Sequence, residues 1–365
     1  SIVTPSGISE LNFLDEAETV NALVPRLKRQ GIETIVVLIH EGGVQNPNTS
    51  PYNECVGISG PIVDIVNNLN DEVDVVISGH THQPYNCVID NKIVTSAFSF
   101  GRLVTKVDLT IDRRTRDVVS MVADNRIVTR DVPADSLLTA LIAKYNAIAA
   151  PLENRVIGSI TADITRTANA AGESALGDVI ADGQLDATND PGFGDAVVAF
   201  MNPGGIRADL TYAGSPAGEG DGNVTYGEMF TVQPFGNSLV TMTLTGAQID
   251  TLLEQQFEGC GQPVGNGNRI LQVSAGFTYS WSLSAPACDK VDPTTIMING
   301  TPVDPSASYR VTVNSFLADG GDRFSVLVEG TDRLGGAVDT DAFEDYFAAN
   351  SPVPPGPQDR ITQVP

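Results

Sequence analysis

Two apolar runs that end in histidine, GIETIVVLIHEGG (31–43) and EVDVVISGHTHQP (72–84), decide the fold of the first third of the chain. Each run is short, rich in β-branched residues and followed by a glycine-containing loop, which is the pattern of a buried strand and the turn after it. A helical pattern precedes each run, at 16–30 and at 61–70. This alternation of helix and strand predicts a layered α/β region with a largely parallel sheet.

The three histidines of the chain all lie at the ends of these predicted strands, His40 after the first and His80 and His82 after the second. Loops at the carboxyl ends of parallel strands are where α/β sheets bind ligands. Imidazole suits Zn, Mn, Fe or Ni, and the glycine of the G-H-x-H turn lets both rings face one site. We therefore predict that the three side chains ligate metal.

The composition of the chain limits the kinds of partner that it can bind. The chain has 365 residues, a length that favours two domains, and a net charge of −24 from 45 acidic and 21 basic residues. Such a surface repels nucleic acid polymers and anionic membranes. No apolar stretch approaches the ~20 residues of a membrane span. We expect a small-molecule ligand, no nucleic acid polymer and no membrane span.

The four cysteines are well spaced and form no C-x-x-C pair. Their even number predicts two local disulfides, Cys55–Cys87 and Cys260–Cys288, with free buried cysteines as the alternative. Disulfides imply an oxidising compartment, so we expect a secreted, periplasmic or cell-surface protein.

A long helical pattern at 133–150 divides the chain, because the sequence beyond it is richer in Gly, Thr and Asn and contains short strands. We predict a first domain at 1–132, an interdomain linker helix at 133–153 and an α+β domain at 154–365.

The histidine motifs resemble the second half of the calcineurin-like metallophosphoesterase domain of the 5'-nucleotidase family, which includes periplasmic UDP-sugar hydrolases and animal ecto-5'-nucleotidases. Five later stretches resemble the nucleotide-binding C-terminal domain of that family, in the same order. They are RTANAAGESALGDVIAD (166–182), NPGGIRADL (202–210), QPFGNSLVTMTLTG (233–246), SAGFTYSW (274–281) and NSFLADGGDRF (314–324).

The resemblance assigns two divalent metal ions (Zn, Mn or similar), with His40 and His80 as ligands of one ion and His82 of the other. It also assigns a nucleotide or nucleoside site. Arg166, Asn202 and Arg207 would hold ribose and phosphate, Phe235 and Phe316 would sandwich the base, Asp322 would accept from ribose hydroxyls, and Asn237 and Gly276 would touch the base edge. The residue types suit these roles, since arginine binds phosphate bidentately and aromatic rings stack on bases.

The activity that the resemblance implies is hydrolysis of nucleoside 5'-phosphates to nucleoside and phosphate. The D-x-H and G-N-H-E motifs of the family's first half are absent from this sequence, and no G-D motif precedes the histidine motifs. We therefore expect a fragment whose catalytic residues belong to a preceding segment. The alternatives are a UDP-sugar or 2',3'-cyclic nucleotide hydrolase on the same fold, or a non-catalytic nucleotide-binding fragment.

Overall fold

The computed structural model describes residues 10–46, 50–214, 216–265 and 267–365. Its described residues form two compact units, the first unit at Glu10–Asp135 and the second unit at Ser136–Pro365. Several separate sheets with helices between them make the chain a mixed α/β protein.

Within the described residues, the first unit contains two helices and six strands, in the order α1 (Glu16–Arg29), β1 (Val36–Leu38), α2 (Pro61–Asn67), β2 (Val75–Ile77), β3 (Pro84–Ile89), β4 (Lys92–Ala97), β5 (Leu103–Ile111) and β6 (Val118–Ile127). Four strands form a sheet in the order β1-β2-β4-β3, in which β1, β2 and β4 are parallel and β3 is antiparallel. The predicted alternation of helix and strand is confirmed. The pair β5–β6 is a separate antiparallel hairpin.

The core of the first unit lies where α2 packs on this sheet. Ile62 and Val66 of α2 are fully buried together with Val76 of β2 and Val94 of β4. The predicted Cys55–Cys87 disulfide is present and ties the loop before α2 to β3. The two loops that carry the histidines therefore start from a packed and cross-linked sheet.

The described part of the second unit contains six helices and eleven strands. They are α3 (Ser136–Glu153), β7 (Val156–Ser159), α4 (Ala175–Asp186), β8 (Val198–Met201), β9 (Asn223–Thr225), α5 (Tyr226–Val232), β10 (Ser238–Thr245), α6 (Gly246–Glu254), β11 (Gln272–Val273), β12 (Phe277–Ser282), β13 (Met297–Ile298), β14 (Thr301–Pro302), β15 (Ser308–Asn314), α7 (Ser315–Ala318), β16 (Thr331–Val338), α8 (Asp339–Asn350) and β17 (Ile361–Val364).

Two sheets organise the second unit. The larger has the order β11-β8-β15-β10-β16, with β8 and β15 parallel and the other pairs antiparallel. The smaller has the order β14-β13-β12-β17, with β12 and β17 parallel. Phe200, Val311 and Phe277 are buried in one core, and α4 and α8 enclose a second core around Leu176 and Phe347.

Helix α3 confirms the long helix expected at 133–150, although it starts three residues later, at Ser136, and continues to Glu153. Its contacts place it in the second unit, so the division of the chain falls between Asp135 and Ser136. The predicted Cys260–Cys288 disulfide is also present, and the alternative of free cysteines is wrong. Across the ranges that the structure describes, no helix has both the length and the apolarity needed to cross a membrane.

Candidate functional site

Two of the three histidines lie next to each other at the carboxyl edge of the first sheet, with their rings edge-on. His40 follows β1 and His80 follows β2, and because these strands are parallel neighbours their loops meet. The His40 and His80 ring centroids are 5.2 Å apart, with the rings at 70°. Thr81 Oγ1 donates a 2.8 Å hydrogen bond to the carbonyl of Gly43, which fastens the second loop to the first.

The G-H-x-H turn has an unusual backbone. His80 has φ 65° and His82 has φ 52°, both in the left-handed region that non-glycine residues seldom occupy. Such a conformation costs on the order of 1 kcal/mol or more and often accompanies a functional loop. The turn therefore holds both histidines in a backbone conformation that carries an energetic cost.

His82 does not join the pair formed by His40 and His80. Its ring lies edge-on to Phe100, with the centroids 5.7 Å apart. Within the residues that the structure describes, no group of three or more His, Cys, Asp or Glu side chains is arranged to hold a metal ion. The neighbouring imidazoles of His40 and His80 fit part of a metal site, but the described residues alone do not complete one. The three ligand assignments stay predictions.

In the second unit, the carboxyl ends of β8 and β15 bring two asparagines together. The strands are parallel, with Phe200 opposite Val313, so Asn202 and Asn314 follow at the same edge. Asn314 Nδ2 donates to Asn202 Oδ1 at 2.9 Å, and Asn202 Nδ2 donates to Asp322 Oδ2 at 2.8 Å. Asn314 Oδ1 in turn accepts from the backbone N–H of Leu317 and caps α7. Asn202 and Asp322, which are far apart in sequence, are therefore direct partners.

Asp322 is buried, with 6% of its surface exposed, and its backbone φ of 53° is left-handed. Its second carboxylate oxygen accepts from Nη1 of Arg269. Its backbone carbonyl accepts from Gln262 Nε2 at 2.9 Å. The carboxylate is thus held from two sides by the strand-end asparagine and by an arginine from the 258–272 segment.

The predicted base-stacking side chains lie next to this network. Phe235 is 58% exposed, and the guanidinium carbon of Arg207 is 5.8 Å from its ring centroid. Arg207 Nη1 donates to the carbonyl of Gly204 at 3.0 Å, and a Cβ on Gly204 would lie 3.6 Å from Asp322 Oδ2. Arg207 and Phe235 are therefore linked to Asp322 through Gly204.

Phe316 reaches the same cluster from α7. Its half-buried ring packs against Gly321, where a Cβ would overlap the ring, so a glycine is needed beside Asp322. Ser315, its neighbour, donates from Oγ to Asn237 Oδ1 at 3.5 Å, which connects the Phe235 loop to α7. We name this assembly the strand-end cluster and define it as Asn202, Arg207, Phe235, Phe316 and Asp322.

Two other predicted residues of this region have different surroundings. Arg166 is half-exposed and donates from Nη1 to the Ile206 carbonyl at 3.3 Å, beside Arg207. Asn237 donates from Nδ2 to Asp339 Oδ2 at 3.3 Å, so its side chain has a structural partner.

Gly276 does not meet the others. It lies beyond β11, toward the amino end of β8, and its carbonyl accepts from Asn299 N–H at 2.7 Å. Its φ of 86° and the Asn299 side chain beside its Cα account for a glycine there.

Sequence reasoning missed Arg269, Gln262 and Asn314. Arg269 and Gln262 lie in a Gly- and Asn-rich segment without periodicity, so no local pattern marks them. Asn314 begins one of the quoted stretches, and its position directly after an alternating strand was a usable signal for a helix cap.

The chain is thus a mixed α/β protein whose second unit presents arginine, phenylalanine and a buried carboxylate at a strand end. Residues 156–329 match the family model for the 5'-nucleotidase C-terminal domain. This part of the chain therefore belongs to the 5'-nucleotidase C-terminal domain family.

Three relatives illustrate the similarity. Endonuclease YhcR of Bacillus subtilis (strain 168) is 30% identical over 318 residues, which are 87% of this chain and 23% of that protein. Cell wall protein Lmo0130 of Listeria monocytogenes is 32% identical over 360 residues, which are 95% of this chain and 44% of that protein. The crystal structure of the 5'-nucleotidase precursor from Thermus thermophilus superposes with a TM-score of 0.74 at 28% identity, covering 96% of this chain and 68% of that one. The chain thus spans less than half the length of the two curated relatives.

Proposed function

We propose that this chain contributes nucleotide recognition to a hydrolase that converts nucleoside 5'-phosphates to nucleoside and phosphate. The observation that carries the proposal is the strand-end cluster, which gathers a cation, two aromatic rings and a buried carboxylate. These are the groups that a phosphate, a base and a ribose require. The second unit would then be the nucleotide-binding domain and the first unit the second half of a metallophosphoesterase domain.

Each group has a role in this proposal. Arg207 and Arg166 are exposed arginines on adjacent segments and would bind phosphate oxygens. Phe235 and Phe316 would stack on the base, and Asp322 would accept hydrogen bonds from ribose hydroxyls. Asn202 would keep Asp322 oriented. Asn237 and Gly276 have other partners within the chain, and their contacts with the base edge stay predictions.

Two divalent metal ions are part of the proposal for the whole protein, with His40, His80 and His82 as a share of the donor set. When bound, such ions polarise phosphoryl oxygens and generate a nucleophilic hydroxide at neutral pH. The proximity of the His40 and His80 rings supports a site at this edge of the sheet. The remaining donors would come from outside the described residues.

A calorimetric titration of the purified chain with adenosine and with AMP, without metal, tests the nucleoside site. We expect both to bind, and Phe235→Ala to weaken both by tenfold or more, since stacking contributes about 1–3 kcal/mol per base. Phe193→Ala removes an exposed ring from another loop and serves as the matched control. Failure of the folded wild-type chain to bind adenosine, guanosine, cytidine or uridine, or their 5'-phosphates, would refute the proposal.

A non-catalytic nucleotide-binding role is the second candidate, and the incomplete set of metal donors among the described residues favours it for this chain alone. Phosphate release from AMP in the presence of Mn²⁺ or Zn²⁺ separates the two. Release that is lost in His40→Ala supports hydrolysis, whereas binding without release supports the second role. UDP-glucose and 2',3'-cyclic AMP in the same assay test the alternative substrates.

We also propose that the protein is secreted, periplasmic or displayed on the cell surface. Its two disulfides form in oxidising compartments. The relative from Listeria monocytogenes is named a cell wall protein, which agrees with such a location.

A further inference from the structure

Asp322 combines an unusual backbone conformation with a buried carboxylate. Its backbone is left-handed, and so is that of the adjacent Arg323, with φ 66°. The carboxylate is nearly fully buried, yet among the described residues each of its oxygens has one donor, Asn202 on Oδ2 and Arg269 on Oδ1. An oxygen of this kind has two lone pairs, so each retains one acceptor position for a ligand hydroxyl.

Arg269 supplies the charge that this carboxylate needs. A buried carboxylate is costly unless it is paired with a cation, and the Asn202 amide is neutral. The Arg269 side chain is 37% exposed, so it reaches Asp322 from the solvent side, whereas Asn202 reaches it from the sheet. Its backbone N–H is anchored to the Gln256 carbonyl at 2.8 Å, at the end of α6. The segment that carries Arg269 is therefore attached to the core of the second unit.

We infer that Arg269 is a positioning residue for sugar recognition: it holds the Asp322 carboxylate oriented to accept hydrogen bonds from the vicinal hydroxyls of a nucleoside. This inference rests on the proposed function. It makes a specific claim about the ligand, namely that discrimination between ribose and a sugar without these hydroxyls depends on Arg269. The planar guanidinium of Arg269 presents its donor to Asp322 Oδ1 in a fixed direction, whereas a lysine ammonium is a rotatable point charge, so lysine is a poor substitute.

A structural pair would behave differently. If Arg269 only stabilised the fold, its removal would weaken the binding of all ligands equally or lower the melting temperature alone. If Arg269 positions Asp322, its removal weakens the binding of the nucleoside and leaves the binding of the analogue without sugar hydroxyls unchanged. The ratio of the two dissociation constants therefore separates the roles.

The experiment measures calorimetric dissociation constants for adenosine and for 2',3'-dideoxyadenosine on the complete chain. Should guanosine, cytidine or uridine bind wild type more tightly, that nucleoside and its dideoxy analogue replace them. The variants are Asp322→Asn, Arg269→Ala, Arg269→Gln and Arg269→Lys, so that at least one neutral variant folds. Arg333→Ala is the matched control, because Arg333 pairs with Asp319 and bonds the Ala318 carbonyl in the same loop but does not touch Asp322.

We expect wild type to bind the nucleoside more tightly than its dideoxy analogue and Asp322→Asn to lose this preference. The neutral Arg269 variants should reduce the preference by about tenfold, which corresponds to the loss of a charge-assisted hydrogen bond. Arg269→Lys should lose less, and Arg333→Ala should keep the full preference. A folded Arg269→Ala or Arg269→Gln that keeps the preference, while Asp322→Asn loses it, overturns the inference and leaves the proposed function intact. Absence of nucleoside binding by wild type overturns both.

Discussion

Asp178 on α4 is a buried carboxyl whose surroundings make stability depend on pH. It is fully buried, its Oδ2 accepts from Gln358 N–H at 2.9 Å, and its Oδ1 has no hydrogen-bond partner among the described residues. Burial raises its pKa to about 7, the neighbouring Glu173 acts in the same direction, and Arg360 opposes it. Arg360 is itself paired with Asp182, so it does not compensate Asp178 in full.

The sign of the pH effect follows from this raised pKa. Between about pH 4 and pH 7 the unfolded chain has lost the Asp178 proton while the folded chain retains it, so stability falls as pH rises. We expect the unfolding free energy of wild type, relative to Asp178→Asn, to fall by about 2 kcal/mol between about pH 5 and about pH 7. Urea denaturation of both proteins measures it. Asp186→Asn, on the exposed side of the same helix, is the control, and a wild-type-to-Asp178→Asn difference that stays constant with pH would contradict the assignment.

At the residue scale, the sequence reveals side chains that follow a strand or sit in a family motif. His40, His80 and Asn202 all come directly after apolar runs, and the structure places them at strand ends as such runs indicate. Arg269 could not be found in this way, because it meets Asp322 from a loop 53 residues away in sequence. A contact of this kind depends on tertiary packing and leaves no local pattern.

At the element scale, apolar runs and caps predict which segments are helices and strands, but not how distant strands pair. The first unit shows the predicted order of α1, β1, α2 and β2, because each element is specified by its own periodicity. The pairing of β12 with β17, in which Tyr279 lies opposite Ile361, joins strands far apart in sequence. The Gly276 assignment depended on such long-range placement, and the structure sets that glycine apart from the strand-end cluster.

The disulfide Cys260–Cys288 leads to a prediction for the 258–272 segment, which carries Gln262 and Arg269. Gln262, two residues after Cys260, donates to the Asp322 carbonyl and also to the Gln255 carbonyl at 3.0 Å. Replacing both cysteines by serine should cost about 3–4 kcal/mol of stability through loop-closure entropy. It should also lower adenosine affinity, because the segment that holds Asp322 is loosened.

The other disulfide provides the matched control for this measurement. Cys55–Cys87 spans 32 residues, compared with 28 for Cys260–Cys288, so its loop-closure entropy is similar. It lies in the first unit, whereas the strand-end cluster belongs to the second. Calorimetry and thermal unfolding of the two serine double variants should show comparable losses of stability but reduced adenosine affinity only for the Cys260–Cys288 variant. Equal affinities would mean that the disulfide does not support the site.

At the scale of the whole molecule, a net charge of −24 disfavours anions, whereas the proposed site would bind an anionic ligand. Charges farther apart than about 10 Å are largely screened at 0.1 M salt, so in the proposed site the nearby Arg166 and Arg207 would govern the binding of a single phosphate group. Additional phosphates of a polymer would extend over an acidic surface. A nucleic acid polymer binds when basic side chains neutralise its phosphates and release its counterions into solution. This chain has few basic side chains, 21 against 45 acidic ones.

We therefore expect the chain to bind a mononucleotide but not a single-stranded oligonucleotide of about 20 nucleotides, although one relative is named an endonuclease. Fluorescence anisotropy with a labelled oligonucleotide should show no binding at about 50 mM salt, where any counterion-driven association would be strongest. Calorimetry with AMP under the same conditions gives the comparison. The opposite result would be an affinity that increases with oligonucleotide length and decreases steeply as salt is added. It would show that basic side chains form a continuous binding surface despite the negative net charge. The partner would then be a polynucleotide, and the strand-end cluster would hold one terminal nucleotide of it.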